Sequence, residues 1–210
     1  MPLVSFCPNV SFLASHNGSN MRAIVAAIRN GILNAVPRAL ISNNAGSGAI
    51  AWAQNNGLST YHVSATSKGS EMAADTAIVS ILRRYNTDIV VLAGYMRKLG
   101  PETLQAFSGR ILNIHPALLP KYGGKGMYGR FVHQSVLKSG DTQTGVTIHL
   151  VDDEYDHGPV VAQAPVGIYP DDVVETLTAR VQAKEQELFP ETLRRIVSGE
   201  IDLDKIAAAR

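Results

Sequence analysis

The sequence predicts an α/β fold, a mostly parallel sheet with helices on both faces. Three observations lead there. Short apolar, β-branched runs alternate with segments of helical period, the runs are almost continuously apolar, as in strands buried on both faces, and no repeat or low-complexity tract breaks the rhythm. Val10 to Ala14 reads as the first strand and Met21 to Arg29 as the first helix. Ala35 to Ile41 and Ala49 to Asn55 repeat the pattern, as do Thr60 to Val63 and Glu71 to Tyr85. Asp88 to Ala93, a short helix near Pro101 to Phe107 and the strand Arg110 to Ile114 extend it. A helix near Arg130 to Lys138 follows, then Gly145 to Val151 and Val160 to Val166, whose short connector suits an antiparallel pair. A long helix from about Asp172 to Val197 closes the series. Asp171 and Asp172 favour its positive end, and Pro190 is expected to bend or interrupt it.

With 210 residues and 45% hydrophobic content, the chain can bury one good core, so residues 1–210 are expected to form a single domain. The formal net charge of +1 comes from well-mixed acids and bases, so neither nucleic acid nor a membrane surface is an expected partner. Cys7 is the only cysteine, which excludes an intrachain disulfide and a Cys-based zinc cage and fits a reducing cytosol. No apolar run approaches the length of about 18 residues that a membrane helix needs. Met1 to Pro8 lacks a basic region and a long apolar stretch, and reads as a leader into the first strand. A cytoplasmic location is expected. The sequence leaves the oligomeric state, a homodimer included, unassigned.

Ile111-Leu112-Asn113-Ile114-His115-Pro116 holds the most specific chemistry. Period-two alternation sends Asn113 and His115 to one face, and Pro116 should end the pairing near His115. The pair then sits at a strand's carboxyl end, the edge where open α/β sheets bind ligands. An amide donor beside an imidazole there suits a developing oxyanion and a mobile proton. A satisfied structural Asn and His is the alternative.

Three further segments belong to that edge. Ser15-His16-Asn17-Gly18-Ser19-Asn20 links the first strand to the first helix and lacks the glycines of a dinucleotide or triphosphate loop, which leaves a phosphate monoester or an N-cap turn through Ser19 or Asn17. Leu92-Ala93-Gly94-Tyr95-Met96-Arg97-Lys98-Leu99 turns at Gly94 and presents apolar beside basic groups, suited to a flat heterocycle with an anionic tail or to a solvated turn. Asp152-Asp153-Glu154-Tyr155-Asp156-His157 concentrates carboxylates, one of which could orient His115. A metal held by His149, Asp152, Asp156 and His157 is disfavoured because the spacing lacks a regular ligand pattern, and no metal is expected. His149 reads as a hydrogen-bonded core histidine. His62, His133 and His157 read as surface or loop residues. Gly123, Gly124, Gly126 and Gly129 give the segment after Lys121 the makings of a mobile flap.

The run Asn113 to Lys121, together with Phe12 to Asn20, Val90 to Arg97 and Asp153 to Val160 in that order, resembles the folate-dependent formyltransferases over nearly the whole chain. The resemblance implies a Rossmann-like sheet of the formyltransferase fold. It also implies transfer of a formyl group from 10-formyltetrahydrofolate, as co-substrate, to the amine of phosphoribosylglycinamide in purine biosynthesis. By the same likeness Asn113, His115 and Asp156 are catalytic. Gly18, Ser19 and Asn20 grip the substrate phosphate, with Pro116, Gln182 and Glu185 also on the substrate side, although Gln182 and Glu185 look like ordinary helix-surface residues from sequence. Met96, Arg97, Lys98, Leu99, Asn113, Val151, Asp152 and Asp153 border the folate. Lys68 matches poorly. His16, where relatives often have Gly, and the glycine-rich segment after Lys121 depart from the pattern. The rivals are a formyltetrahydrofolate hydrolase, which usually carries a further regulatory domain, a methionyl-tRNA formyltransferase, which needs a tRNA-binding domain, and a non-catalytic folate- or nucleotide-binding module.

Overall fold

The computed structural model describes residues 7–209; residues 1–6, most of the expected leader, lie outside the described residues. Seven strands form one sheet in the order β3-β2-β1-β4-β5-β6-β7. β1 (Asn9–Ala14), β2 (Val36–Ser42), β3 (Ser59–His62), β4 (Ile89–Leu92) and β5 (Ile111–His115) are parallel. β6 (Gln143–Leu150) pairs antiparallel with both β5 and β7 (Val160–Gly167), as the short connector between those runs predicts.

Strand alternation divides the interior. Phe12, Leu40, Val91 and Leu112 face a larger core shared with α1 (Ser19–Arg29), α2 (Gly48–Asn55), α6 (Arg130–Ser139) and α7 (Val174–Val197). Their neighbours Leu13, Ile41, Val90 and Ile111 face a smaller core built with α4 (Glu71–Arg84) and α5 (Pro101–Ala106). Helices therefore cover both faces. α8 (Leu203–Ala208) follows α7.

Three details differ from expectation. Ala65–Lys68 forms a one-turn helix, α3, because Ser64 accepts from the Ser67 N–H at 3.1 Å while the Ser67 hydroxyl accepts from the Ser64 N–H at 2.9 Å. α7 starts at Val174, two residues later than expected: Asp172 is drawn into contacts with the Tyr169 N–H at 2.8 Å and with Arg180 at 2.7 Å. Pro190 does not interrupt α7. Phe189, Pro190 and Leu193 are buried in the interior, and that packing carries the helix past the one hydrogen bond a proline cannot donate.

β1 and β4 are neighbours although β2 and β3 lie between them in sequence, so the chain reverses its order there. The loops leaving β1, β4 and β5 open side by side at the carboxyl edge.

Candidate active site

β5 delivers the central pair. Its ladder to β6 runs from Leu112 opposite Leu150 to His115 opposite Thr147 and ends where Pro116 begins. The turn beyond is pinned to β6: the Thr147 hydroxyl donates to the Ala117 carbonyl at 2.7 Å and accepts from the Leu119 N–H at 3.0 Å. Gln163 on β7 donates to Thr147 and to the Leu119 carbonyl, both at 2.9 Å. His115, only 3% exposed, thus stands on a rigid support.

Both ring nitrogens of His115 face oxygen acceptors. Nε2 donates to the Tyr122 carbonyl at 2.7 Å, and Nδ1 lies 3.4 Å from Asp156 Oδ2. The long Nδ1 contact leaves that nitrogen within reach of a ligand as well. The Asn113 amide nitrogen lies 3.0 Å from His149 Nε2, and His149 Nδ1 donates to the Leu150 carbonyl at 2.8 Å. With that Nδ1 protonated, a neutral His149 ring receives one Asn113 N–H, so the amide is oriented and its second N–H is left for a reacting oxygen.

Asp156 arrives from the β6–β7 loop with a left-handed backbone, φ 57°. Two glycines allow that approach. A Cβ on Gly158 would lie 1.9 Å from the Leu150 carbonyl oxygen, and one on Gly123 would lie 2.5 Å from Leu119 Cδ2 and 3.2 Å from Asp156 Cβ. Burial opposes charge on Asp156, but His115 and the Gly124 N–H at 3.0 Å outweigh it and hold the carboxyl well below the usual range. It is an anion beside a histidine.

The β1–α1 loop holds the helix N-terminus open. Gly18 caps α1 in the left-handed region, φ 62°, without a side-chain cap bond, so the N-cap turn through Ser19 or Asn17 does not form. The first-turn N–H groups carry no competing acid, the arrangement that receives a phosphate. Ser15 ties this loop to its neighbours, donating to Asn43 Oδ1 at 2.6 Å and accepting from the Met96 N–H at 2.7 Å. His16 is exposed at the same edge.

Asn20 turns inward instead, its amide donating to Glu185 Oε2 at 3.1 Å. Glu185 is not the helix-surface residue its sequence context implies. It is 9% exposed, and burial pushes its carboxyl up to about 7 against the opposing pull of Asn20 and His115. Gln182, three residues earlier on α7, is exposed.

Around the Gly94 turn, φ 74°, Met96 is 42% exposed, and Arg97 forms an exposed ion pair with Glu71 at 3.7 Å. Lys98 Nζ sits 5.9 Å from the centre of the Tyr155 ring, linking this corner to the acidic loop. Leu99 departs from expectation: its side chain is buried in the smaller core, which leaves its backbone alone for a ligand. Val151 is bound to β5 through its N–H to the Ile111 carbonyl at 3.0 Å, Asp152 accepts from the Glu154 N–H at 2.8 Å, and Asp153 is exposed. The four residues considered for a metal divide into pairs, His149 with Asp156 and His157 with Asp152. Among the described residues, no group of three or more His, Cys, Asp or Glu is placed to hold a metal ion. Lys68 is exposed on α3.

His133 corrects another expectation. It is buried on α6, and burial, then the charge of His115, lowers its pKa. Its position three residues before Val136, on the buried stripe of α6, was the available signal.

The family described as formyl transferase matches residues 8–193. The chain belongs to the formyl transferase family. It is 36% identical over 200 residues to phosphoribosylglycinamide formyltransferase of Escherichia coli (strain K12), covering 95% of this chain and 92% of the relative. The Haemophilus influenzae enzyme of the same name is 34% identical, with 92% and 89% covered. Among solved structures, glycinamide ribonucleotide transformylase 1 from Symbiobacterium toebii superposes with a TM-score of 0.86 at 34% identity, covering 92% of this chain and 89% of that one. A formyltetrahydrofolate deformylase from Pseudomonas syringae shares the fold, with a TM-score of 0.82, 22% identity, and 93% and 63% covered. The fold is thus common ground, and the transferases share more of the sequence than the deformylase does.

Proposed function

We propose that this formyl transferase moves a formyl group from 10-formyltetrahydrofolate to the amine of phosphoribosylglycinamide, a step of purine biosynthesis, and that residues 1–210 act as one domain. One observation carries the reading: Asn113, His115 and the ionised Asp156 meet at the sheet edge that the open α1 N-terminus also faces. Higher identity to the transferases over most of their length, at 36% against 22% for the deformylase, supports transfer over hydrolysis.

The residues divide the work. The α1 N-terminus at Gly18, Ser19 and Asn20 receives the phosphate, with Pro116, Gln182 and Glu185 on the same side. The backbone from Met96 to Leu99, with Val151, Asp152 and Asp153, borders the folate, and the exposed Met96 and Tyr155 offer it apolar contact. The amine attacks the formyl carbon, and the carbonyl π pair moves onto oxygen. The free Asn113 N–H and the His115 Nδ1 proton stabilise that oxyanion. The amine then loses a proton toward the His115–Asp156 pair, the oxyanion pair re-forms the carbonyl as the carbon–N10 bond breaks, and N10 leaves with that bond's pair and takes a proton, so charge balances and no metal or covalent enzyme intermediate is needed.

Purified protein mixed with both substrates should release deformylated folate, followed optically, only when the amine is present. Release without the amine would replace the reading with the hydrolase, and folate binding without release would favour a binding module.

A further inference from the structure

We propose that Asp141, at the turn between α6 and β6, is a positioning residue for His115, acting through Tyr122. The inference rests on the assignment of His115 to formyl transfer.

Tyr122 is a bulky residue with φ 59°, a conformation that must be held by its surroundings. Its hydroxyl donates to Asp141 Oδ2 at 2.8 Å, while its carbonyl accepts the His115 Nε2 proton at 2.7 Å. One residue therefore grips the histidine with its backbone and is gripped by its side chain. Asp141 is itself fixed. Its N–H donates to the Ser139 hydroxyl at 3.2 Å, which donates to the Val136 carbonyl at 2.7 Å near the end of α6. Lys121 Nζ adds a contact to Asp141 at 3.0 Å. The hydrogen bond from Tyr122, then Lys121, holds the Asp141 carboxyl below its ordinary range, so the acceptor is charged at neutral pH.

Packing does not replace this anchor. Tyr122 touches the larger core on one side, but a cavity of about 330 Å³ lined by Leu118, Lys121, Tyr122, Asp141, Gln143 and Thr144 lies on the other. Beyond Tyr122 the next anchor is the Gly124 N–H on Asp156 at 3.0 Å, and Gly123 between them imposes little backbone direction of its own. Without the Asp141 contact, the Tyr122 carbonyl has room to leave Nε2. The ring then loses one of its two acceptors and is free to turn, which moves Nδ1 off the reacting oxygen.

The test uses Tyr122→Phe, which keeps the ring and the carbonyl, Asp141→Ala, Asp141→Asn and the Tyr122→Phe/Asp141→Ala double variant. Tyr122→Phe and Asp141→Ala should each lower kcat about tenfold, with KM for both substrates within about twofold of wild type, and the double variant should be no worse than either single. Asp141→Asn keeps an acceptor for the hydroxyl and should recover most of the loss. A second readout needs no substrate: in protein with 15N-labelled histidine, the His115 Nε2-bound proton should exchange slowly with water in the wild type and rapidly in Tyr122→Phe. This separates the two claims, because absence of turnover in the wild type would remove the transferase reading while the exchange measurement still decides whether Asp141 and Tyr122 hold His115. Slow exchange retained in Tyr122→Phe, or additive losses in the double variant, would overturn the proposal.

Discussion

Two carboxylates that feel the same histidine, Asp156 half-buried and Glu185 buried, are driven in opposite directions. Asp156, on the β6–β7 loop, is surrounded by donors from His115 and Gly124 and stays ionised. Glu185, on α7, has one amide donor from Asn20 and is pushed up to about 7 by burial. Burial opposes charge in both, so what decides is how many donors the backbone brings to each oxygen. The difference sorts them by role: Asp156 is a fixed charge that holds His115, and Glu185 is a group able to be neutral or charged near physiological pH.

Removing the charge on the first should matter most. Asp156→Asn keeps the shape, and we expect kcat to fall about a hundredfold or more, measured by amine-dependent folate release, with melting behaviour near wild type. Glu185→Gln should leave kcat much nearer normal; equal losses would erase the distinction.

The loop that presents Asp156 is the next place to break it. Gly158→Ala would set a methyl 1.9 Å from the Leu150 carbonyl oxygen, against a backbone held in the sheet at the end of β6. A loss of about 3 kcal/mol in a denaturant melt is expected, with activity falling in the folded fraction as well. An unchanged midpoint would show that the β6–β7 loop yields more than its contacts imply.

The pH dependence of stability sharpens the contrast because the signs differ. Glu185 is raised in the folded protein, so its contribution is complete below the ordinary 4.5 and is lost as pH rises through about 7. The shift amounts to about 3 kcal/mol across that window, and Glu185→Gln should flatten it. Asp156 is depressed, so its contribution is present above the ordinary 3.8 and disappears as pH falls through its lower native value. Asp156→Asn should flatten only the acid limb. Urea midpoints collected from about pH 2 to about pH 8, which takes in the Glu185 window and much of the Asp156 acid limb, would reveal a shared slope if the two sites were alike.

The smallest effect belongs to exposed charge. Arg194 contacts Glu191 at 2.8 Å on the solvent side of α7, and Arg194→Ala should change stability by less than about 0.5 kcal/mol, checked in the same melts.

Much of this was legible before any coordinates. The β-branched runs gave the parallel strands, Pro116 marked the end of β5, and alternation put Asn113 and His115 on one face. The resemblance singles out Glu185, and its burial was legible too: Leu177, Val181, Glu185 and Phe189 recur every four residues, which places a carboxylate on the apolar ridge of α7. His133 was missed as a polar residue judged by type and not by its helical neighbours. The Tyr122 carbonyl was not legible at all, since a main-chain acceptor has no side-chain signature and its position depends on a left-handed φ set by distant contacts. Ala65–Lys68 is too short to show a period, and its cap is its only mark.

The most direct measurement is the amine-dependent transfer rate of His115→Ala at saturating concentrations of both substrates, beside the wild type and with folding verified by melting. A fall of about a hundredfold or more, with substrate binding retained, is the predicted result. Turnover near the wild-type rate in the folded variant would contradict the account, because Asn113, Asp156 and Tyr122 are all arranged around that one ring.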